Sequence, residues 1–157
     1  MRVATPASLR IRQRRSADDS FIARLATLAF GEYDLDPAAT LRRLVQRGTT
    51  WVALRGDTPV GFVVVQPLTE SSVDVCAIAV DEDERGRGIG RSLLAHVERA
   101  ALGAGLKEVH LHTAQANMSA LELFLRGGFR VTARMPRFYR GMYDACALVK
   151  RIDSTRH

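Results

Sequence analysis

Apolar and polar residues along this chain change period several times, and each change marks an element. Leu9-Arg10-Ile11-Arg12-Gln13, after a short polar tail, alternates apolar and basic, the pattern of an edge strand. Ser16-Ala17-Asp18-Asp19 supplies a helix N-cap. Phe21, Ile22, Leu25, Leu28 and Ala29 then recur at helical spacing, which predicts an amphipathic helix over about residues 18–30, stopping at Gly31. Asp36-Pro37 opens a second helix with Leu41, Leu44 and Val45 on one face and Gly48 at its end. Thr49–Leu54 and Val60–Val65 read as strands joined across Arg55–Pro59, a hairpin. A third strand, ending at Val80, continues the antiparallel meander.

Ile89, Leu93, Val97 and Ala100 repeat as one helix face, closed by Gly103 and Gly105. Leu106–Thr113 is the next strand; a helical crossover leads to it, so it runs parallel to the one ending at Val80. Asn117 or Ser119 caps a further helix with Ala120, Leu121, Phe124 and Leu125 inward, terminated by Gly127-Gly128. Phe129–Ala133 and Met142–Ile152 form a last antiparallel pair around a loop from Arg134 to Gly141, and the tail from Asp153 to His157 is expected to fray.

The stretch on which the rest turns runs from Ser72 to Arg91. An apolar strand leads through the acidic turn Asp81-Glu82-Asp83-Glu84 into Arg85-Gly86-Arg87-Gly88-Ile89-Gly90-Arg91 and a helix start. Glycines at alternate positions bring several N–H groups close to one anion, the helix dipole points at the same spot, and Arg85, Arg87 and Arg91 add charge. A pyrophosphate fits such a cradle. The P-loop reading fails, because no Gly-Lys-Ser/Thr ending is present. The dinucleotide reading fails as well: the spacing is Gly-x-Gly-x-Gly, and only about 65 residues remain for a second half. A purely structural turn asks for one glycine, not three beside three arginines.

Composition narrows the class. At 157 residues, 46% hydrophobic and 25% charged, the chain is an ordinary globular domain taken as one unit over 1–157, with its core between Leu9 and Ile152. No apolar run approaches the ~18 residues of a membrane span and no signal segment is evident, so no membrane contact and a cytoplasmic location are expected. Cys76 and Cys146, far apart in apolar stretches, read as buried reduced thiols, and no metal-ligand spacing exists. The net charge of +6 is almost wholly arginine and serves a polyanionic small molecule as readily as a nucleic acid. The arginines form no dense run and have no stacking aromatics among them, so nucleic acid is not expected as a partner.

The segment Arg85-x-x-Gly88-x-Gly90 after an apolar strand resembles the acyl-CoA pyrophosphate loop of the GNAT superfamily of N-acyltransferases. Leu111-His112-Thr113-Ala114-Gln115-Ala116-Asn117, followed by Leu123-Phe124 and Gly128-Phe129, resembles the same family's second cofactor-side helix. The order of elements from Leu9 to Ile152 matches too. The resemblance implies an α/β (α+β) fold with a mixed, mostly antiparallel seven-stranded sheet and about four helices on both faces. Arg137-Phe138-Tyr139-Arg140-Gly141 with Asp144-Ala145 is more weakly similar to the C-terminus of enzymes that acetylate protein N-termini, including the ribosomal-protein-alanine type.

What the resemblance implies for chemistry is specific. Acetyl-CoA is the co-substrate, without a metal, held by Ile78, Ala79 and Val80 along the strand, by Arg85, Gly86, Arg87, Gly88, Ile89, Gly90 and Arg91 in the loop, and by Asn117 and Phe124. The strand carrying Cys76–Val80 splays from the one carrying Leu111–Thr113, and a backbone N–H there polarises the thioester carbonyl. Where the N-terminal acetyltransferases carry a glutamate base, this chain has His112, an imidazole able to do the same task, with His110 on the same face as its rival. Where many members carry a tyrosine acid, this chain has Phe124, which donates no proton. Tyr139 is the candidate substitute, with Tyr33 and Tyr143 behind it. The loop Phe30-Gly31-Glu32-Tyr33-Asp34-Leu35 is either a connector or an acceptor wall in which Glu32, Tyr33 and Asp34 receive an amine. The expected reaction is acetyl transfer to a primary amine of a protein or peptide N-terminus. A small amine (polyamine, amino acid or antibiotic) and a catalytically inactive acyl-CoA-binding regulator stand as alternatives, in a monomer or homodimer.

Overall fold

The computed structural model describes residues 8–153, so most of the N-terminal polar tail and the end expected to fray lie outside it. Seven strands, β1 (Leu9–Gln13), β2 (Thr49–Arg55), β3 (Thr58–Thr69), β4 (Ser72–Val80), β5 (Glu108–Ala114), β6 (Arg130–Tyr139) and β7 (Tyr143–Arg151), form one sheet in the order β1-β2-β3-β4-β5-β7-β6. Only β4 and β5 are parallel; every other neighbouring pair is antiparallel. Helices α1 (Asp19–Phe30) and α2 (Pro37–Arg47) cover one face, and α3 (Ile89–Gly103) and α4 (Met118–Arg126) the other.

Strand parity decides which side chains meet which helices. On β3, Val63 and Val65 join Leu93 and Val97 of α3, whereas Phe62 and Val64 join Phe21 and Leu25 of α1. On β4, Val73 and Val75 face α3, yet beyond Cys76 it is Ala77 and Ala79 that face α1. The cause is a bulge: Val64 pairs with Ala77 and Val65 with Val75, which leaves Cys76 as an extra residue. Cys76 is therefore half-buried rather than buried, and it donates to the Asp74 carboxylate at 3.5 Å. Burial and that carboxylate push its thiol up to about 12. Cys146 is buried, and both cysteines are free.

The hairpin between β2 and β3 turns on Gly56-Asp57 alone, and β3 runs on to Thr69, well past Val65. On α1, Leu28 is 77% exposed and Ala26 takes the core position; on α3, Ala101 is buried where Ala100 was expected; on α4, Leu125 faces solvent. The strand after α3 begins at Glu108 rather than Leu106. The loop expected from Arg134 to Gly141 is mostly strand, since β6 reaches Tyr139. Of the two cap candidates for α4, Asn117 is used, its side chain accepting the N–H of Ala120 at 3.3 Å.

Asp18 does not cap α1. Its carboxylate turns back to take Arg12 in a two-pronged pair, at 2.8 and 3.2 Å, and the Arg15 N–H at 2.8 Å. Arg12 above all holds this buried carboxyl below the usual carboxylate range, against the opposing effect of burial. Because the folded value is lowered, the stabilisation is complete at neutral pH and fades as pH falls through it. Replacing Asp18 by asparagine is expected to lower the Tm at pH 7 by about 4–8 °C, from the loss of ~2 kcal/mol of charge-assisted bonding. Tm measured against pH should show the two proteins converging as pH falls below the usual carboxylate range.

Candidate active site

The acidic turn after β4 is held by its own side chains, Asp81 accepting the Asp83 N–H at 3.1 Å. Gly86 and Gly88 follow with φ of 79° and 82°, and an added Cβ at either would meet nothing within 4 Å. Their requirement is therefore backbone conformation: the left-handed turns swing successive N–H groups to one side. Gly88 is also the N-cap of α3, whose first-turn N–H groups have no partner inside the helix. Gly90 is glycine for a different reason. A Cβ there would stand 2.9 Å from Cδ2 of Leu123, so its absence lets α4 pack close against α3.

Beside the loop the sheet opens. The β4–β5 ladder runs from Ser72 opposite Glu108 to Val75 opposite Leu111 and then ends, although β4 continues to Val80 and β5 to Ala114. The parting begins at the Cys76 bulge. From there a cleft of about 680 Å³ runs past Ile78, Ala79 and Val80 of β4, the loop, the first turn of α3, Asn117 and Phe124 of the α4 segment, and Glu32 and Tyr33 from the α1–α2 connection. One cleft thus joins the α3–α4 face of the sheet to the α1–α2 face.

Tyr33, on the cleft wall, belongs to an aromatic cluster whose other rings lie behind it. Tyr33 meets Tyr139 at 5.6 Å between ring centroids and Tyr143 at 5.1 Å; His112 meets Phe138 edge-on at 4.9 Å and Tyr139 at 6.2 Å. Burial, with smaller contributions from Tyr33 and Asp74, holds the Tyr139 phenol well above its usual range, so it stays protonated. Tyr33 is pushed up as well, by burial and then by Glu32. Arg140 ties the two walls together, donating to the Glu32 carbonyl at 3.2 Å.

Compared with known proteins, residues 18–129 match the Acetyltransferase (GNAT) family. The chain belongs to this family. It is accordingly a GNAT acetyltransferase, and its fold is the family's. It is 34% identical over 133 residues to the N-alpha-acetyltransferase RimI of Mycobacterium tuberculosis, covering 82% of each chain. Among solved structures it resembles an IAA acetyltransferase from Bacillus cereus, with a TM-score of 0.77 and 25% identity over 92% of this chain and 99% of that one. It also resembles a GNAT family acetyltransferase from Elizabethkingia anophelis with acetyl-CoA bound, with a TM-score of 0.76 and 20% identity over 91% and 97%.

Set against the GNAT expectations, Arg85, Gly86, Gly88, Ile89, Gly90 and Arg91 line the cleft together with the β4 residues, Asn117 and Phe124. Arg87 does not; its guanidinium lies 3.8 Å from Glu84. Asp34 also stands outside the lining, its carboxylate accepting the Asp36 N–H at 2.9 Å. His112 and Tyr139 also stand outside the lining, joined to it only by ring contacts, Tyr139 to Tyr33 and His112 to Tyr139, whereas His110 is held by Glu108 at 3.0 Å, level with Asp74 where the ladder is still closed. Among residues not anticipated, Ser119, Glu122, Leu123 and Arg126 form the lining face of α4. Their spacing of three and four residues is the signal that could have found them. Glu84, part of the acidic turn, also lines the cleft and takes Arg55 at 2.9 Å. Among the described residues no group of three or more His, Cys, Asp or Glu side chains is placed to hold a metal ion, and no helix is long and apolar enough to cross a membrane.

Proposed function

We propose that this chain acetylates the α-amino group of a protein or peptide from acetyl-CoA, in the cytoplasm. The observation that carries the reading is one cleft that runs from an anion cradle past a parted pair of strands to Tyr33, whose ring packs on Tyr139 and Tyr143 just outside it. The cradle suits the cofactor's diphosphate: the N-terminus of α3 opens beside it, and Arg85, Arg91 and Arg126 are among the residues that line it. The open edge of β4 at Ile78–Val80 offers backbone groups to an extended amide chain and an N–H to a developing oxyanion. Bound there, acetyl-CoA supplies an activated acyl group to a neutral amine.

An α-amino group titrates near ~7.7–8.0, so a substantial share is already neutral at physiological pH and only a weak base is needed. His112 takes the amine proton, directly or through one water, at the end of β5 that faces the aromatic cluster. Tyr139 keeps its proton and, in this reading, donates a hydrogen bond rather than ionising. The similarity to RimI favours a protein N-terminus over a small amine.

Thiol release from acetyl-CoA, with a peptide beginning in alanine set beside spermidine and free amino acids, tests the acceptor: steady turnover with the peptide is expected. Turnover only with the small amines would replace the peptide reading. No release with any amine, despite thermal stabilisation by acetyl-CoA, would mean a binding protein. Tyr139→Phe is expected to lower kcat about tenfold, the scale of one lost hydrogen bond in a dry site. Wild-type turnover in that variant would remove the hydroxyl from the chemistry.

A further inference from the structure

The hairpin of β6 and β7 pairs Met135 with Ala145 and Tyr139 with Tyr143. Three residues, Pro136, Arg137 and Phe138, therefore stand opposite one, Asp144. Arg137 has a φ of 53°, a left-handed conformation that a side chain bearing a Cβ resists. What holds it is Asp144: one carboxylate oxygen accepts the Arg137 N–H at 2.9 Å, and the other accepts Arg134 at 2.9 Å. The backbone carbonyl of the same residue accepts the Gln115 N–H at 2.9 Å, which fixes the hairpin to the turn that leads into Asn117 and α4.

The bulge has a destination. Leaving it, Phe138 lies edge-on to His112 and Tyr139 packs on Tyr33, the ring that lines the cleft. Between the flanking pairs, Met135 with Ala145 and Tyr139 with Tyr143, the Asp144 carboxylate ties the bulge to β7. We infer that Asp144 is a positioning residue for the amine side of the site: by closing the Pro136–Phe138 bulge it sets where Phe138 and Tyr139 meet His112 and Tyr33. Its side chain bonds Arg134 and Arg137 rather than the glycine loop, so removing the carboxylate is expected to act on the acceptor side.

This rests on the acceptor entering beside Tyr33 and Tyr139, and the test separates the two claims. Asp144→Ala removes both bonds; Asp144→Asn keeps an oxygen for the Arg137 N–H. With the alanine-initiated peptide, the alanine variant is expected to lose about tenfold or more in kcat/KM for the amine, and the asparagine variant to recover to within about threefold of wild type. The KM for acetyl-CoA stays within about twofold in both, and the near-ultraviolet circular dichroism of the tyrosine cluster weakens in the alanine variant only. Parallel losses for both substrates, or an unchanged tyrosine signal in Asp144→Ala, would overturn the inference. Should Asp144→Ala not fold, Arg134→Ala removes one tie and is expected to lower the amine kcat/KM about threefold, an unchanged value overturning it. If the wild type acetylates no amine, the acceptor reading fails, while the circular dichroism still decides the role of Asp144.

Discussion

Replacing His112 by alanine is expected to lower kcat/KM for the amine by about 10²- to 10⁴-fold, the range that a positioned proton acceptor contributes. Affinity for acetyl-CoA should not change, because His112 is no part of the cradle. His112 lies one residue beyond Leu111, the last residue of β5 paired with β4, so it stands where the sheet has opened. Its ring is oriented by Phe138 and lies near Tyr139, on the side reached by the α1–α2 connection. His110, two residues earlier, is level with the closed ladder and engaged by Glu108, so His110→Ala should leave the shape of the pH–rate profile alone. Steady-state thiol release across pH checks both. A His112→Ala enzyme with wild-type kcat/KM and an unaltered profile would show that proton removal lies elsewhere.

The second large effect is expected at the cradle. Valine at position 88 must adopt a φ of 82° or force the loop into another path. A side chain in that region costs about 1–3 kcal/mol, more for a β-branched one, and the loop relieves the strain by moving its N–H groups off the common focus. Acetyl-CoA affinity should fall about 10- to 100-fold if that strain is felt chiefly by the bound form. Thermal shift against acetyl-CoA concentration measures it. Space is not the issue, since nothing lies within 4 Å of a Cβ there, so Gly88→Val should fold normally. An undiminished shift in a folded Gly88→Val protein would separate the glycine loop from cofactor binding.

The parts of this structure that were legible in the sequence are those written in local chemistry. β1 has the bounds that its alternation indicates, Asp36 caps α2 through the Ala39 N–H, and the helix after the glycine loop starts at Ile89. Most of the loop residues named from their spacing do line the cleft. What failed has a common cause. The start of β6 is read as strand to Ala133, but its outer part carries the Pro136–Phe138 bulge, whose pairing partner Asp144 lies on β7 and is not visible locally. The segment Ser16–Asp19 offers cap residues, but the Asp18 carboxylate is taken by Arg12, which belongs to the preceding strand. Leu28 fits the α1 periodicity, yet at 77% exposure it stands at the cleft, where that face of the helix is not covered by the sheet. Glu84 and Arg55 are 29 residues apart, and nothing in either neighbourhood announces the other.

The supernumerary Cys76 has a consequence for how this strand tolerates change in length. Odd-numbered residues of β4 look toward α3 before it and even-numbered ones after it, so removing a single residue at that point would restore strict alternation. The outer half of the strand would then be free to keep zipping along β5, and the slot beside Ile78 would seal. Substitutions at position 76 preserve the count and leave the opening in place. A one-residue deletion erases it, although no side chain proposed to act in catalysis has been touched.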